Sequence, residues 1–265
     1  MAQRPQHGLP VALTIAGSDS GGGAGIQADL LTFAAHGVFG TTAITCLTAQ
    51  NPREVTGVEA VSPDFLLQQL DAVAVYFDLS VIKTGMLFNA ELVDTVRAFA
   101  EERRDVPLVV DPVMVATSGA VLLEADAQAA MRRLIQLATV FTPNLDEAAV
   151  LLGWHPESPA DMERAADELT ASTGAAVLLK GGHLRGDDLV DLLAIPGGPR
   201  KAMRRERIHN INTHGSGCTL ASAIAAELAK GPALEAAVEA ALAYLEAAMR
   251  RPLEVAGEHF IAHGT

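Results

Sequence analysis

The sequence predicts an α/β fold in which helices pack against a mainly parallel sheet. Short apolar runs alternate along the chain with longer stretches whose apolar residues recur at helical spacing. The runs at 109–110 and 177–179 lack polar alternation, as expected of strands that are covered on both faces. Hydrophobic residues make up 49% of the chain and aromatic residues only 4%, which favours helices on a sheet over a β-sandwich.

Each predicted element begins or ends at a recognisable signal. Residues 1–10 form a polar lead-in, and the first predicted strand, 11–16, stops at a glycine. A glycine-rich loop, 17–25, precedes a helix that ends near residue 36. The same alternation then predicts strands at 41–47, 81–83, 108–111, 139–141 and 176–179, and helices at 63–76, 89–103, 124–137, 145–152 and 159–172.

The pattern changes after Lys180. Residues 189–195 and 201–208 are predicted to form two strands of a hairpin, joined by a Pro-Gly-Gly-Pro turn. Two alanine-rich helices, 217–229 and 233–250, follow, and a Lys-Gly-Pro sequence separates them. Because no stretch has the composition of an interdomain linker, we expect residues 1–265 to form a single domain.

Charge and cysteine content argue against several classes of function. The formal net charge of the 265-residue chain is −13 and basic residues form no long block, which disfavours a nucleic-acid or anionic-membrane partner. An anionic substrate would therefore have to be met by local hydrogen-bond donors. Two cysteines do not make a disulfide framework, and no apolar leader or long uncharged segment is present. We therefore expect a cytoplasmic protein.

Glycines are concentrated in the loop 17–25, where they let a backbone approach a ligand closely. The loop lacks the Gly-Lys-Ser/Thr ending of a Walker phosphate loop, and Ile26 stands where a dinucleotide-binding fingerprint needs its third glycine. It nevertheless follows the carboxyl end of a strand, where open α/β sheets place ligands. Two interpretations remain open, a ligand-binding loop and a plain flexible turn.

The segment 212–219, Asn-Thr-His-Gly-Ser-Gly-Cys-Thr, contains the strongest chemical signal. It opens a predicted helix, so its amides would form an anion site that offers donors to a transferred phosphoryl group. We expect the helix dipole to lower the pKa of the Cys218 thiol, which would then serve as a base. The alternative is that Cys218 is a small buried core residue, the interpretation we favour for Cys46. His183 and His214 are not spaced as a metal pair, and we interpret both as local structure.

Three other predicted strand ends carry polar candidates. Asn144 and Glu147 fit either an N-cap with its capping-box partner or a Mg²⁺-linked role for Glu147. Lys180, which precedes two glycines, fits either a phosphate contact or a solvated strand end. Asp111 ends its strand at a position that suits a site but says little alone.

Seven segments, in this order, resemble hydroxymethylpyrimidine/phosphomethylpyrimidine kinases of the ribokinase-like clan. The resemblance implies a three-layer αβα sandwich with a mainly parallel central sheet, and it implies ATP and Mg²⁺ as cofactors. It implies phosphorylation of the hydroxymethyl group of 4-amino-5-hydroxymethyl-2-methylpyrimidine and then of the resulting monophosphate, and a homodimer. It runs from about residue 11 to about residue 249, in the segments 13–30, 42–51, 83–87, 109–119, 142–148, 178–183 and 212–226.

The resemblance also implies roles for individual residues. Cys218 matches the general base, and Gln50 matches the glutamine that binds the pyrimidine, because an amide can both donate and accept. The other matches are the anion hole at Gly215, Ser216 and Gly217, the substrate-pocket walls at Gly17, Asp19, Ala24, Thr48, Met86 and Val113, and the nucleotide and Mg²⁺ side at Lys180, Asp111, Asn144, Glu147 and Thr213.

The chain departs from the family pattern at three places. Leu242 stands where relatives often carry a lysine near the nucleotide, and Ala120 stands where an aspartate is usual. The match is also weak after Glu254. None of these departures touches the segment 212–219.

Two alternative functions remain open at this point. The nearest is a pyridoxal kinase of the same clan, since pyridoxine and the pyrimidine both present a hydroxymethyl group on a nitrogen ring. Gln50 and Met86 favour the pyrimidine. The other alternative is a catalytically silent ligand-binding or regulatory protein, against which the presence of Cys218 and Lys180 argues.

Overall fold

The computed structural model describes residues 8–114, 127–182 and 188–264. Within these ranges the main element is a nine-stranded sheet, accompanied by a small two-stranded hairpin. The strands are β1 (Val11–Asp19), β2 (Phe39–Asn51), β3 (Glu54–Ala60), β4 (Leu79–Thr84), β5 (Leu108–Val110), β6 (Val140–Phe141), β7 (Ala176–Leu179), β8 (Asp188–Ala194), β9 (Lys201–Glu206), β10 (Leu253–Val255) and β11 (Glu258–Phe260). The helices are α1 (Gly25–Ala35), α2 (Pro63–Tyr76), α3 (Ala90–Glu101), α4 (Ala127–Ile135), α5 (Leu145–Leu152), α6 (Pro159–Thr173), α7 (Ser216–Ala229) and α8 (Leu234–Arg250).

The order of the strands places the crevice of the sheet next to β1. The main sheet runs β3-β2-β1-β4-β5-β6-β7-β8-β9. Neighbours from β2 to β7 are parallel, whereas β3, β8 and β9 are antiparallel additions at the two edges. The chain places β2 on one side of β1 and later β4 on the other, so the direction of winding reverses there. Open α/β sheets bind ligands at the carboxyl ends of strands at such a reversal.

Alternate strand residues face two separate cores, which makes the protein three layers thick. Leu13 and Ile15 of β1 pack into the core formed with α2 to α6. Ala12 of the same strand packs into the opposite core, which contains Phe33 of α1 and the buried faces of α7 and α8. The predicted α/β architecture with a mainly parallel sheet is confirmed, and the double coverage explains the unbroken apolar runs of β5 and β7.

Capping residues decide where several helices begin. Ser62, Asn89 and Ser158 each accept a hydrogen bond from a backbone N–H in the first turn of α2, α3 and α6. Helix α7 differs, because its N-cap is Gly215 and no side chain caps its first turn. No side chain therefore occupies the amides of the first turn of α7, which suits a helix N-terminus that binds an anion.

The sequence analysis did not predict β3 or the β10–β11 hairpin. β3 is an edge strand that is at least partly exposed along its whole length and contains Gly57, so its sequence shows no buried apolar face. β10 and β11 have three residues each, joined through Ala256 and Gly257 at positive φ. Strands this short leave no periodic signal.

Several boundaries also differ from their predictions. β1 and β2 continue to Asp19 and Asn51, because Asp19 still pairs with Thr48 beyond the apolar core. The helix predicted at 124–137 is observed as α4, and residues 124–126 lie outside the described residues.

Among the described residues, no helix combines the length and the hydropathy that a membrane span requires.

Candidate active site

A cavity of about 640 Å³ opens at the carboxyl ends of the parallel strands. Strands β2 and β1 supply one end, β4 and β5 the middle, and β6 and β7 the other end, while the start of α7 forms a further wall. The structure brings every site residue proposed from the sequence to this one cavity: Gly17, Asp19, Ala24, Thr48, Gln50, Met86, Asp111, Val113, Asn144, Glu147, Lys180, Thr213, Gly215, Ser216, Gly217 and Cys218.

The glycine-rich loop is organised around the carboxylate of Asp19. One carboxylate oxygen accepts a hydrogen bond from Gly21 N at 2.7 Å, and the other accepts from Gly23 N at 3.1 Å and from Ala24 N at 2.8 Å. Gly25 has a φ of +57°, and a Cβ there would overlap the Gly17 carbonyl oxygen. The loop is therefore a folded cradle with its own hydrogen bonds, not a plain flexible turn.

His214 joins this loop to Gln50, so the interpretation of His214 as local structure was incomplete. Its Nε2 atom lies 3.0 Å from Asp19 Oδ2 and 3.2 Å from Gln50 Nε2. Burial alone would raise the pKa of Asp19, but the hydrogen bonds from His214, Gly21 and Ala24 outweigh it and hold that pKa below its usual value. The clue in the sequence was only that His214 directly precedes the Gly-Ser-Gly-Cys turn.

The hydrogen bonds of His214 have a defined polarity. A carboxylate can only accept, so Nε2 of His214 must carry the hydrogen that faces Asp19. The structure has Gln50 Nε2 facing His214 Nε2, but two facing N–H donors would repel, so the Gln50 amide is best turned by 180° to bring its oxygen toward the imidazole. In that orientation the NH₂ group of Gln50 is available to donate to an acceptor on a ligand, such as a ring nitrogen.

Helix α7 starts against the glycine-rich loop. Gly215 has a φ of +80°, and a Cβ at this position would overlap the Gly23 carbonyl oxygen. Ser216 N donates to Thr213 O at 3.0 Å and so closes the turn before the helix. Close packing of the two loops thus depends on glycine, and it sets the N-terminal amides of α7 beside the Asp19 cradle.

Cys218 lines the cavity, but the pKa of its thiol is shifted in the direction opposite to our expectation. Burial raises the pKa of Cys218 to about 11, and the Lys83 ammonium and the Gly25 N–H offset this only in part. The prediction of a lowered pKa was wrong because it considered the helix dipole and not desolvation of the thiolate. Cys46, by contrast, is fully buried in the core as predicted.

The far end of the cavity holds a buried cluster of one cation and two carboxylates. Lys180 Nζ lies 3.4 Å from Asp111 Oδ1 and 4.0 Å from Glu147 Oε2. Burial opposes the charge of Lys180, yet the two carboxylates raise its pKa above the usual value. A Cβ on Gly217 would lie 3.4 Å from Lys180 Nζ, so the lysine reaches the start of α7. The solvated strand end considered for Lys180 is therefore excluded.

Asn144 and Glu147 form the capping box that their spacing predicted. Glu147 Oε2 accepts from Asn144 N at 2.8 Å, and Asn144 Oδ1 accepts from Glu147 N at 2.9 Å. Burial raises the pKa of Glu147 to about 7, and Lys180 opposes that rise. The capping role does not remove Glu147 from the cavity wall, so the two interpretations of this residue are compatible.

The donor atoms near Lys180 limit how a metal ion could be held. Within the described ranges, no group of three or more His, Cys, Asp or Glu side chains has the arrangement of a metal site. Asp111 and Glu147 are the two carboxylates at the Lys180 end of the cavity, and two carboxylates fit an ion such as Mg²⁺, which takes most of its other ligands from phosphate oxygens and waters.

The departures from the family pattern lie away from the cavity wall or outside the described residues. Leu242 is buried in the core between α7 and α8, and the residues of α8 that reach the cavity are Leu245 and Met249. Ala120 and His183 lie outside the described residues.

Comparisons with known proteins show which family the sequence of this chain matches. Residues 19–263 match the family model described as phosphomethylpyrimidine kinase. The chain is similar to the hydroxymethylpyrimidine/phosphomethylpyrimidine kinase of Rhizobium meliloti strain 1021, with 49% identity over 245 residues that cover 90% of each protein.

Two solved structures have the same fold. The phosphomethylpyrimidine kinase of Clostridium difficile 630 is 38% identical with a TM-score of 0.80, covering 90% of this chain and 99% of that one. An ADP complex of Bacillus subtilis pyridoxal kinase is 36% identical with a TM-score of 0.88, covering 96% of this chain and 97% of that one.

Alkylation of Cys218 by iodoacetamide should be slow near neutral pH and should accelerate about tenfold per pH unit between about pH 7 and pH 10. The reason is that a thiol pKa of about 11 leaves the sulfur protonated over this range. Peptide mapping by mass spectrometry follows Cys218 separately from Cys46. The denatured chain serves as the control, and folded Cys218 reacting as fast as the denatured thiol at pH 7.5 would contradict the raised pKa.

Proposed function

The chain belongs to the phosphomethylpyrimidine kinase family, and we propose that it phosphorylates 4-amino-5-hydroxymethyl-2-methylpyrimidine with ATP and then converts the monophosphate to the diphosphate, a step of thiamin biosynthesis. One observation supports this most strongly. A single cavity joins a ring-binding end at Gln50 to a cationic end at Lys180, and the open amides of α7 lie between them beside Cys218. Such an arrangement suits transfer of a phosphoryl group from one end to the other.

The first phosphorylation requires that a hydroxyl lose its proton. We assign that proton to the Cys218 sulfur while the hydroxyl oxygen bonds to the γ-phosphorus, the bond to the β,γ-bridging oxygen breaks and ADP leaves. The amides of Gly215, Gly217 and Cys218 stabilise the charge on the phosphoryl oxygens. Phosphoryl transfer has a loose transition state in which positioning and charge stabilisation dominate, so a small ionised fraction of Cys218 is sufficient.

The second phosphorylation has a different requirement. The acceptor is a phosphate monoester, whose second pKa is about 6, so its oxygen is already an unprotonated nucleophile at neutral pH. No base is needed for that step. The amides of α7 remain important in both steps because each step transfers the γ-phosphoryl group of an ATP molecule.

ATP is assigned to the end of the cavity formed by β5, β6 and β7. Lys180 supplies the cation for its phosphates, and Thr213, Asn144, Asp111 and Glu147 form the surrounding wall. Asp111 and Glu147 would hold Mg²⁺ at this end of the cavity, and the ion would neutralise charge on the phosphates. Because the chain has a net charge of −13, these local groups are needed to bind the anionic phosphates.

A pyridoxal kinase activity is the second candidate, because the similar Bacillus subtilis structure is described as a pyridoxal kinase. Both rings offer a hydroxymethyl group to the same base. The hydroxymethylpyrimidine/phosphomethylpyrimidine kinase of Rhizobium meliloti is 49% identical to this chain, whereas the pyridoxal kinase is 36% identical. We therefore rank the pyrimidine first.

We also propose that the whole chain works as one kinase domain in the cytoplasm and as a homodimer. The free state of Cys46 and Cys218 suits a reducing compartment. Support for the dimer is a set of exposed apolar side chains on α2 and β2, which a second copy of the chain would cover. Its members are Phe39, Leu47, Phe65, Leu67, Val75 and Tyr76, the last two being 90% and 81% exposed.

A substrate panel with mass detection should show mono- and diphosphate from the pyrimidine, and less product from pyridoxine. In Cys218→Ala, formation of the monophosphate should fall by roughly 10²–10⁴-fold, the usual effect of removing a general base. Conversion of added monophosphate to the diphosphate should fall less than about tenfold, since that step needs no base. Equal losses in both steps, or normal monophosphate formation, would reject Cys218 as the base.

Gly215→Ala should reduce both phosphorylation steps by about 10²-fold, because the new Cβ displaces the first turn of α7 from the Gly23 carbonyl. The control is Gly231→Ala, which has a φ of +99° but an open site for its Cβ. Each variant should lose about 1–3 kcal/mol of stability through backbone strain. Turnover and thermal unfolding are measured together, and similar turnover in the two variants would disprove a role for this contact.

The double variant Val75→Glu/Tyr76→Glu should elute as a monomer, while the parent has the mass of two chains in size-exclusion chromatography with light scattering. Two carboxylates cannot be desolvated in an apolar interface. Leu253→Glu is the matched control, since Leu253 is 54% exposed on the separate β10–β11 hairpin. A monomeric parent, or a dimer that survives the double variant, counts against this surface.

A further inference from the structure

A buried ion pair lies behind the proposed base and has no part in the mechanism given above. Lys83 of β4 is completely buried, and its Nζ lies 2.8 Å from both carboxylate oxygens of Asp29 in α1. Asp29 also accepts hydrogen bonds from Thr14 Oγ1 of β1 and from Ser222 Oγ of α7, each at 2.6 Å. One carboxylate thus ties together two strands and two helices around a single ammonium group.

The pair lies one helical turn from Cys218. Ser222 follows Cys218 by four residues on α7, so both side chains project from the same face of that helix. The hydrogen bond from Ser222 to Asp29 therefore shows that Asp29, and with it Lys83, lies next to that face. The ammonium is near the end of its strand, because a Cβ on Gly85 would lie only 3.1 Å from Lys83 Nζ. Lys83 also lines the cavity that contains Cys218.

Four charged groups on the surrounding elements interact electrostatically with the Cys218 thiol. Lys83 approaches from β4, Asp29 from α1, Asp111 from the end of β5 and Lys180 from the end of β7. Lys180 is already shared with Asp111 and lies at the end assigned to ATP phosphates. Among the groups that lower the pKa of Cys218, Lys83 has the largest effect.

The purely structural explanation of this pair is weak on energetic grounds. A buried ion pair seldom stabilises a fold more than apolar residues of the same volume would, since both charges must be desolvated. Here the charges are placed at the floor of a cavity, where a thiol must carry a negative charge. An ammonium group held in a water-poor site acts on such a charge far more strongly than it would in water.

We propose that Lys83 and Asp29 are positioning residues that act through Cys218: Lys83 stabilises the thiolate that receives the substrate proton, and Asp29 holds the ammonium in place and tempers its charge. Lys83 keeps its own protons throughout, and the transferred proton ends on sulfur. The catalytic consequence rests on the proposed function, but the effect on the thiol does not.

The decisive measurement is the alkylation rate of Cys218 by iodoacetamide at fixed pH near 8.5, in protein without nucleotide. We compare the parent with Lys83→Met and with Lys83→Met/Asp29→Asn, in which the pair is replaced by neutral side chains of similar shape. The double variant should react about tenfold more slowly, which corresponds to a rise of about one unit in the thiol pKa. Lys83→Met alone should be slower still, because an uncompensated Asp29 remains.

Ser222→Ala is the matched control, since it removes a contact of Asp29 but leaves both charges. Its alkylation rate should stay within about twofold of the parent, the size of a small change in thiolate fraction. Circular dichroism and thermal unfolding establish that each variant is folded. If Lys83→Met does not fold, the neutral double variant decides the question.

Two results would overturn the inference. One is a folded double variant that is alkylated at the parental rate, and the other is a Ser222→Ala variant as slow as the double variant, which would make packing the cause. Kinase assays on the same proteins separate this inference from the proposed function. Absence of phosphorylation in the parent with the expected order of alkylation rates would reject the function and leave the role of Lys83 in place.

Discussion

The reversal of winding between β1 and β4 is the constraint on which the rest of the site depends. Because the chain builds outward from β1 in both directions, the loops that follow β1 and β4 diverge and leave a crevice between them. The parallel arrangement of β2 to β7 then brings polar strand ends to one edge in a fixed order. Asp19 and Gln50 lie at one end of that order, and Asp111, Glu147 and Lys180 lie at the other.

Burial of charge is the second feature that organises the cavity. Asp19 accepts hydrogen bonds from His214 and from backbone amides. Lys180 forms ion pairs with Asp111 and Glu147, and Lys83 forms an ion pair with Asp29. Each charged group is neutralised or hydrogen-bonded locally, as desolvation requires. The Cys218 thiol is the exception, since burial keeps most of it protonated and only its small ionised fraction can accept a proton from the substrate.

Pattern reasoning succeeded where a residue's role depends on its neighbours in sequence. The capping box of Asn144 and Glu147 follows from a spacing of three, and the buried strands β5 and β7 follow from apolar runs. It failed for β3, whose pairing with β2 is decided at the sheet edge. It also failed for the pKa of Cys218, because the helix dipole is local whereas desolvation depends on every element packed around the sulfur.

The sequence by itself determined the α/β architecture, the Gly-Ser-Gly-Cys turn at the start of α7 and the family to which the chain belongs. Only the tertiary structure decided that His214 reaches Asp19 and Gln50, that Lys180 is shared by two carboxylates, and that Lys83 with Asp29 lies behind Cys218. These contacts join residues far apart in the chain. Periodicity and capping act over a few residues, whereas solvent exclusion and charge pairing act through space, so no local pattern records them.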